Sequence, residues 1–321
     1  GLSAAWYSDF AQRLRGSVEE APRGWFFQAW TPDAENPVPE RSLQTCIEKG
    51  WVDLALEVQT MQPTGGKHLF SMVHLGGFTC DGYSYLLEPE HFYRPKPKKK
   101  KAKDKKKNKN KDKDEEADED EEQEFEPIPG LKVVLPTPPR RRITAHNGEE
   151  QHAWYDYLTD YEGDREDDFP MEELDEQTRR IHELLDAEAA LVGGKNVFLG
   201  GASQGCGVAL HAGLTYRGEL GGILGTMGHL LTQTPVEPEW VAKKVPVFVY
   251  NGLADTTMKW DKWVAVTWKR LQDAGADVRV VTDEGVDHGE KEDVWLRSFL
   301  AEALRPSSVK AVAKKASGKK R

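Results

Sequence analysis

Short runs of consecutive apolar residues alternate along this chain with longer stretches whose apolar positions recur every three or four residues. Leu131 to Pro136, Val197-Phe198-Leu199, Gly221 to Gly225, Pro246 to Tyr250 and Asp277 to Val281 have the length and character of buried strands. Met171 to Ala190 reads as a helix, with Leu174, Ile181, Leu184 and Leu185 on one face and charges opposite. Trp260 to Ala274 is a second helix, with Trp263, Val264, Trp268 and Leu271 facing a core and Gly275 as its stop. Val294 to Leu304 is a third, closing before Pro306. Strands that alternate with helices in this way predict an α/β fold, a mostly parallel central sheet with helices on both faces.

The flanking regions are less regular. Trp6, Phe10 and Leu14 form a helical stripe in residues 3 to 15. Pro22 to Pro39, which carries Trp25, Phe26, Phe27 and Trp30, reads as an irregular segment covering a domain edge or a pocket mouth. Leu54 to Val58 and His68 to Val73 are strand-like and flank Pro63-Thr64-Gly65-Gly66, which predicts a hairpin or adjacent strands. Arg140, Arg141 and Arg142 are expected in a loop, and Asp160 to Asp168 in a polar connection.

Residues 94 to 126 are of another kind: lysines dominate to Lys113 and acids from Asp114. Such a run buries too little to offset its ordering entropy, so a disordered, solvated insertion is expected there. The organisation that follows is an N-terminal extension (1–50), a domain over 51–304 interrupted by the insertion at 94–126, and a basic flexible tail (305–321).

Composition changes this picture little. The chain of 321 residues is 38% hydrophobic and 31% charged with a formal net charge of −10, an average over unlike regions. No aromatics interleave the lysines as a base-stacking surface needs, so no nucleic-acid partner is expected. Three cysteines, Cys46, Cys80 and Cys206, have no metal-ligand spacing. They predict a reducing, cytoplasmic setting, no disulfide framework and no metal site. No apolar stretch is long enough for a membrane span, and no secretory leader pattern opens the chain. Nothing in the sequence assigns an oligomeric state.

The chemistry concentrates where strands empty into small residues. Gly201-Ala202-Ser203-Gln204-Gly205 fits Gly-x-Ser-x-Gly between a strand and a helix, the pattern of a serine on a sharp, strained turn. Asp255 follows the strand ending at Tyr250, and His288 follows the strand ending at Val281. In a parallel sheet such loops share the carboxyl end of the strands. A serine hydroxyl needs a base, and a histidine needs a carboxylate to hold its tautomer, so Ser203, His288 and Asp255 are the candidate nucleophile, base and orienter. Asp287 and Asp261 are rivals for the acidic role. His74-Leu75-Gly76-Gly77 empties the earlier strand into glycine, where bare backbone can approach a substrate. The backbone N–H groups of Gln204 and Gly76 are therefore the candidate oxyanion donors.

From Leu69 to Leu304, the insertion apart, the chain resembles the phospholipase/carboxylesterase family of α/β hydrolases, which includes acyl-protein thioesterases. The resemblance rests on His-Leu-Gly-Gly, a strand ending in proline, Trp154-Tyr155-Asp156, Gly-Ala-Ser-Gln-Gly, and the Asp255 and His288 turns, spaced 52 and 33 residues apart. His-Leu-Gly-Gly stands where the family usually has His-Gly-Leu-Gly, and Cys206 stands where glycine is common. The resemblance implies the α/β-hydrolase fold and cleavage of an ester or thioester, with a lipid or an acylated protein among the substrates. It also implies no metal and no organic cofactor. Two other readings stay open: a non-catalytic scaffold that binds through the same pocket, and an interaction protein working through its charged insertion and tail.

Overall fold

Alternate residues of each central strand face two separate cores, and this alternation builds the sheet. The computed structural model describes residues 26–30, 57–96 and 124–304. In β3 (Phe70–Leu75), Val73 and Leu75 enter one core while Phe70 and Met72 enter the other. In β9 (Val197–Ala202), Val197 and Leu199 oppose Phe198 and Ala202, and in β11 (Val247–Gly252), Val247 and Val249 oppose Tyr250. Burial on both faces is why these strands read as continuous apolar runs.

With β1 (Phe26–Trp30), β2 (Glu57–Met61), β6 (Leu131–Pro136), β10 (Gly222–Thr226) and β12 (Val278–Asp283), they form an eight-stranded sheet in the order β1-β2-β6-β3-β9-β10-β11-β12. All neighbours are parallel except β2 and β6. Helices α2 (Met171–Val192), α3 (Gln204–Thr215) and α5 (Ala265–Asp273) cover one face, joined by Trp240 of the short α4 (Pro238–Ala242). On the other face lie α1 (Gly82–Leu87) and α6 (Glu292–Ala303). This is the expected α/β-hydrolase architecture. Among the described residues no helix is long and apolar enough to cross a membrane.

Several local expectations change. The two runs around Pro63 to Gly66 make no hairpin, because β6 lies between β2 and β3. Phe26 to Trp30, expected to be irregular, form an edge strand parallel to β2, three strands away from β9. Arg140 to Arg142 are not in a loop: β7 (Arg140–Ile143) pairs with β8 (Glu149–His152) in an antiparallel ribbon. The Trp260 helix opens with a π turn over Trp260–Val264 before α5 begins.

The two ends of the charged run are paired as well. β4 (Tyr93–Pro95) lies antiparallel to β5 (Phe125–Pro127), and Lys96 meets Glu124 through a backbone hydrogen bond and a 2.8 Å ion pair. Phe125, beneath the Arg297 guanidinium, anchors this ribbon to α6. The chain therefore leaves and re-enters the domain at one point. The residue 3 to 15 stripe, Trp25, Leu54 to Leu56, residues 97–123 of the charged run and the basic tail lie outside the described residues.

Candidate active site

Because β3, β9, β11 and β12 run in parallel, the loops that leave them emerge on one side of the sheet. Ser203 sits between the last residue of β9 and the first of α3 with φ 53° and ψ −119°. This left-handed backbone is costly for a residue with a side chain, on the order of 1–3 kcal/mol, and persists because its surroundings over-determine it. The glycines around it explain how. A Cβ on Gly205 would strike the Leu75 and Gly76 carbonyls at the end of β3, and one on Gly201 would strike the Gly205 backbone. Cys206, where a smaller residue is common, fits because Gly225 and Gly228 face it; a Cβ on either would lie 2.7 Å from its Sγ.

The structure brings Ser203, His288 and Asp255 together. His288 Nε2 lies 3.0 Å from Ser203 Oγ, and its Nδ1 lies 2.7 Å from Asp255 Oδ2. Asp255 is buried, and its Oδ1 accepts the N–H groups of Thr257 and Met258 at 2.8 and 2.7 Å. Those bonds aim the other oxygen at the imidazole. With Nδ1–H given to Asp255, Nε2 is left as the acceptor that faces the hydroxyl.

The rivals for the acid do other work. Asp287 is exposed and accepts hydrogen bonds from the Thr256 and His288 backbone, which hold its carboxyl below the usual range. It braces the His288 turn against the Asp255 turn. Asp261 is exposed in the π turn and has no hydrogen bond to His288.

Gly76 and Gly77 close the site from β3. A Cβ on Gly77 would lie 3.2 Å from that of Ser203, so only bare backbone can pass there. The Gly76 carbonyl accepts Trp154 Nε1–H at 2.8 Å, which fixes the orientation of this loop. Gln204 has a role that its place after the serine did not reveal. Its side chain accepts from the Trp154 N–H at 2.9 Å and donates to the Tyr155 carbonyl at 3.0 Å, both buried. The residue after Ser203 thus clamps the Trp154-Tyr155-Asp156 segment, while Asp156 accepts from Thr144 at the end of the β7 ribbon.

A cavity of about 510 Å³ opens onto Ser203 and His288. Phe78, Tyr155 and Tyr157 line one side, and Trp263 and His229 the other. The polar connection expected at Asp160 to Asp168 supplies much of its rim: Asp160, Glu162, Arg165, Glu166 and Asp167. Burial raises the pKa of Tyr155 and Tyr157, so both phenols stay protonated. Burial pushes Glu166 up, but hydrogen bonds and charge from His229, with Thr232, outweigh it and hold the carboxyl below its ordinary value. Among the described residues no group of three or more histidine, cysteine or carboxylate side chains is arranged to hold a metal ion.

Comparison with known proteins agrees with this arrangement. A sequence model of the phospholipase/carboxylesterase family matches residues 117–296. Acyl-protein thioesterase 1 of Schizosaccharomyces pombe is 37% identical over 122 residues, 37% of this chain but only 53%, about half, of the relative. Acyl-protein thioesterase 1 of Neurospora crassa is 29% identical over 186 residues, covering 54% of this chain and 74% of the relative. Among solved structures, Zea mays acyl-protein thioesterase 2 superposes with a TM-score of 0.55 at 20% identity, over 77% of this chain and 99% of that one, a likeness of fold.

Proposed function

The chain belongs to the phospholipase/carboxylesterase family, and from that premise we propose that it is a serine hydrolase cleaving carboxylic esters or thioesters through Ser203, His288 and Asp255. The observation that carries this reading is the relay itself: carboxylate to imidazole at 2.7 Å and imidazole to hydroxyl at 3.0 Å, ending on a strained serine that faces a cavity.

In this reading Ser203 Oγ attacks the substrate carbonyl as His288 Nε2 takes its proton. Asp255 holds the tautomer and stabilises the imidazolium. The oxyanion is received by the backbone N–H groups of Gln204 and Gly76, the first placed at the start of α3 and the second in the loop that Trp154 fixes. The tetrahedral intermediate collapses as His288 protonates the leaving alcohol or thiol, and an acyl group stays on Ser203. Water, deprotonated by the same imidazole, then releases the acid.

The acyl-protein thioesterase names of the relatives extend the candidate substrates to acylated proteins. A cytoplasmic setting fits the free thiols of Cys80 and Cys206.

The test is turnover of p-nitrophenyl acetate, p-nitrophenyl octanoate and an octanoyl thioester by the wild-type protein and by Ser203→Ala. Hydrolysis lost in the variant, with the fold unchanged by circular dichroism, is the expected result. Equal rates in both proteins would remove Ser203 from the mechanism.

A further inference from the structure

The cavity beside Ser203 combines three features that together specify a ligand. The first is uncompensated negative charge. Asp160, Glu162 and Asp167 line it, and none of them pairs with a basic side chain among the described residues. Asp167 is half-buried, and that burial, with Asp160 and Asp168 nearby, raises its pKa. Arg165, the one lysine or arginine of the lining, is turned onto the Tyr161 ring, its guanidinium carbon 3.6 Å from the centroid.

The second feature is the aromatic wall. Phe78 and Tyr157 meet edge to face at 5.4 Å, and Tyr155 and Tyr157 do so at 5.5 Å, with Trp263 across the cavity. Aromatic faces beside carboxylates favour organic cations.

The third is a buried acceptor. His229 lines the cavity, is 3% exposed and lies with Nε2 3.0 Å from Glu166. Its Nδ1 has no hydrogen-bond partner among the described residues. With Nε2–H given to Glu166, the neutral ring presents Nδ1 as an acceptor, and a buried acceptor left open calls for a donor.

We propose that this cavity is a subsite for an ammonium group on the leaving-group side of the substrate, so that esters carrying a cation there are cleaved in preference to neutral or anionic ones. The proposal rests on the serine hydrolase reading and names the substrate class of that same site. The carboxylates supply the field, the aromatic wall receives the alkyl or aryl stem, and His229 Nδ1 accepts an ammonium N–H.

Three phenyl acetates of matched shape test it: 4-(aminomethyl)phenyl acetate, 4-ethylphenyl acetate and 4-(carboxymethyl)phenyl acetate. Each kcat/KM is divided by the ester's hydroxide-catalysed rate to remove leaving-group reactivity. At low ionic strength the cation is expected to exceed the neutral ester by roughly tenfold and the anion to fall below it, with the preference shrinking as salt rises. In the double variant Asp160→Asn with Glu162→Gln the cation-to-neutral ratio moves toward one. A wild-type ratio at or below one, with the neutral ester turned over, overturns the subsite and leaves the hydrolase reading standing. If none of the three esters is cleaved, the hydrolase reading fails, and calorimetry of benzylammonium against benzyl alcohol decides the subsite by itself. Benzylammonium binding that the double variant weakens supports it; equal or absent binding of the two overturns it.

Discussion

Two networks of serine, histidine and carboxylate stand at opposite ends of the same strands, and only one of them has the order a nucleophile needs. Near the start of β3, Ser71 Oγ donates to Glu188 Oε2 at 2.5 Å and lies 2.8 Å from His68 Nε2, while Lys132 Nζ fills Glu188 Oε1 at 2.7 Å. Beyond the other end of the sheet, His288 stands between Asp255 and Ser203. In the first network the carboxylate binds the hydroxyl directly, the serine is buried in an ordinary strand, and the acidic oxygens are filled. Burial is the leading cause that lowers the His68 pKa, against the raising effect of Glu188. In the second, the imidazole is interposed, the serine backbone is strained, and a cavity opens on the hydroxyl. Proximity of the three residue types is not enough; sequence of contact, backbone strain and access separate a structural pin from a candidate active site.

The largest expected contrast is in activity. Ser203→Gly is expected to lower kcat by about 10⁴-fold or more, whereas Ser71→Ala changes kcat per folded molecule less than about twofold, both read by ester turnover. Next comes the structural pin. Glu188→Ala leaves Lys132 without its carboxylate and is expected to destabilise the domain by about 3–5 kcal/mol in denaturant unfolding, with turnover of the folded fraction retained. A Glu188→Ala protein of unchanged stability would break the distinction between the two networks.

Gln204→Leu removes both buried bonds to the Trp154-Tyr155 segment. It is expected to cost about 1–3 kcal/mol and to reduce kcat through a displaced segment rather than a lost proton carrier, so the pH profile keeps its midpoint. Smaller still is the stability gain from Ser203→Gly. Relief of the left-handed strain is expected to stabilise the fold by about 1 kcal/mol, seen as a Tm rise of about 2–4 °C, so strain and activity move in opposite directions at one position.

The last effect is acid lability. Burial raises the Glu292 pKa, but hydrogen bonding and charge from His74, then His91 and Tyr85, outweigh it and depress the value. Glu166 is depressed in the same net sense by His229 and Thr232. A depressed carboxylate contributes stability that is present above its unfolded value, about 4.3, and is lost as pH falls through the lower folded one. Stability is therefore expected to drop below about pH 4.3, and Glu292→Gln to flatten that drop in acid denaturation.

The central strands and long helices were legible because burial on both faces turns strands into apolar runs and leaves helices with one apolar stripe. Pairing was less so. Nothing local tells Glu57–Met61 to pair with Leu131–Pro136 rather than with the nearer Phe70–Leu75, since that choice is made by packing across distant segments. The Arg140–Ile143 ribbon was hidden by its polarity: its strands are stabilised by each other and by contacts such as Arg141 to Glu173, not by an apolar face. At the site, Ser203, Asp255 and His288 were legible because each follows a strand beside glycine. The Gln204 clamp was not, because a side chain's partners 49 and 50 residues away leave no local pattern. The acidic rim of the cavity was visible as composition, but its position over the serine belongs to the fold alone.

The account stands on Ser203 being activated by His288, and covalent labelling reads that most directly. The protein is treated with a fluorophosphonate probe at neutral pH, beside His288→Ala and Ser71→Ala, and the modified peptide is mapped by mass spectrometry. The prediction is a single phosphonate adduct on Ser203, unchanged in Ser71→Ala and slowed at least about a hundredfold in His288→Ala. An adduct elsewhere, or labelling of Ser203 at the same rate without His288, would contradict it.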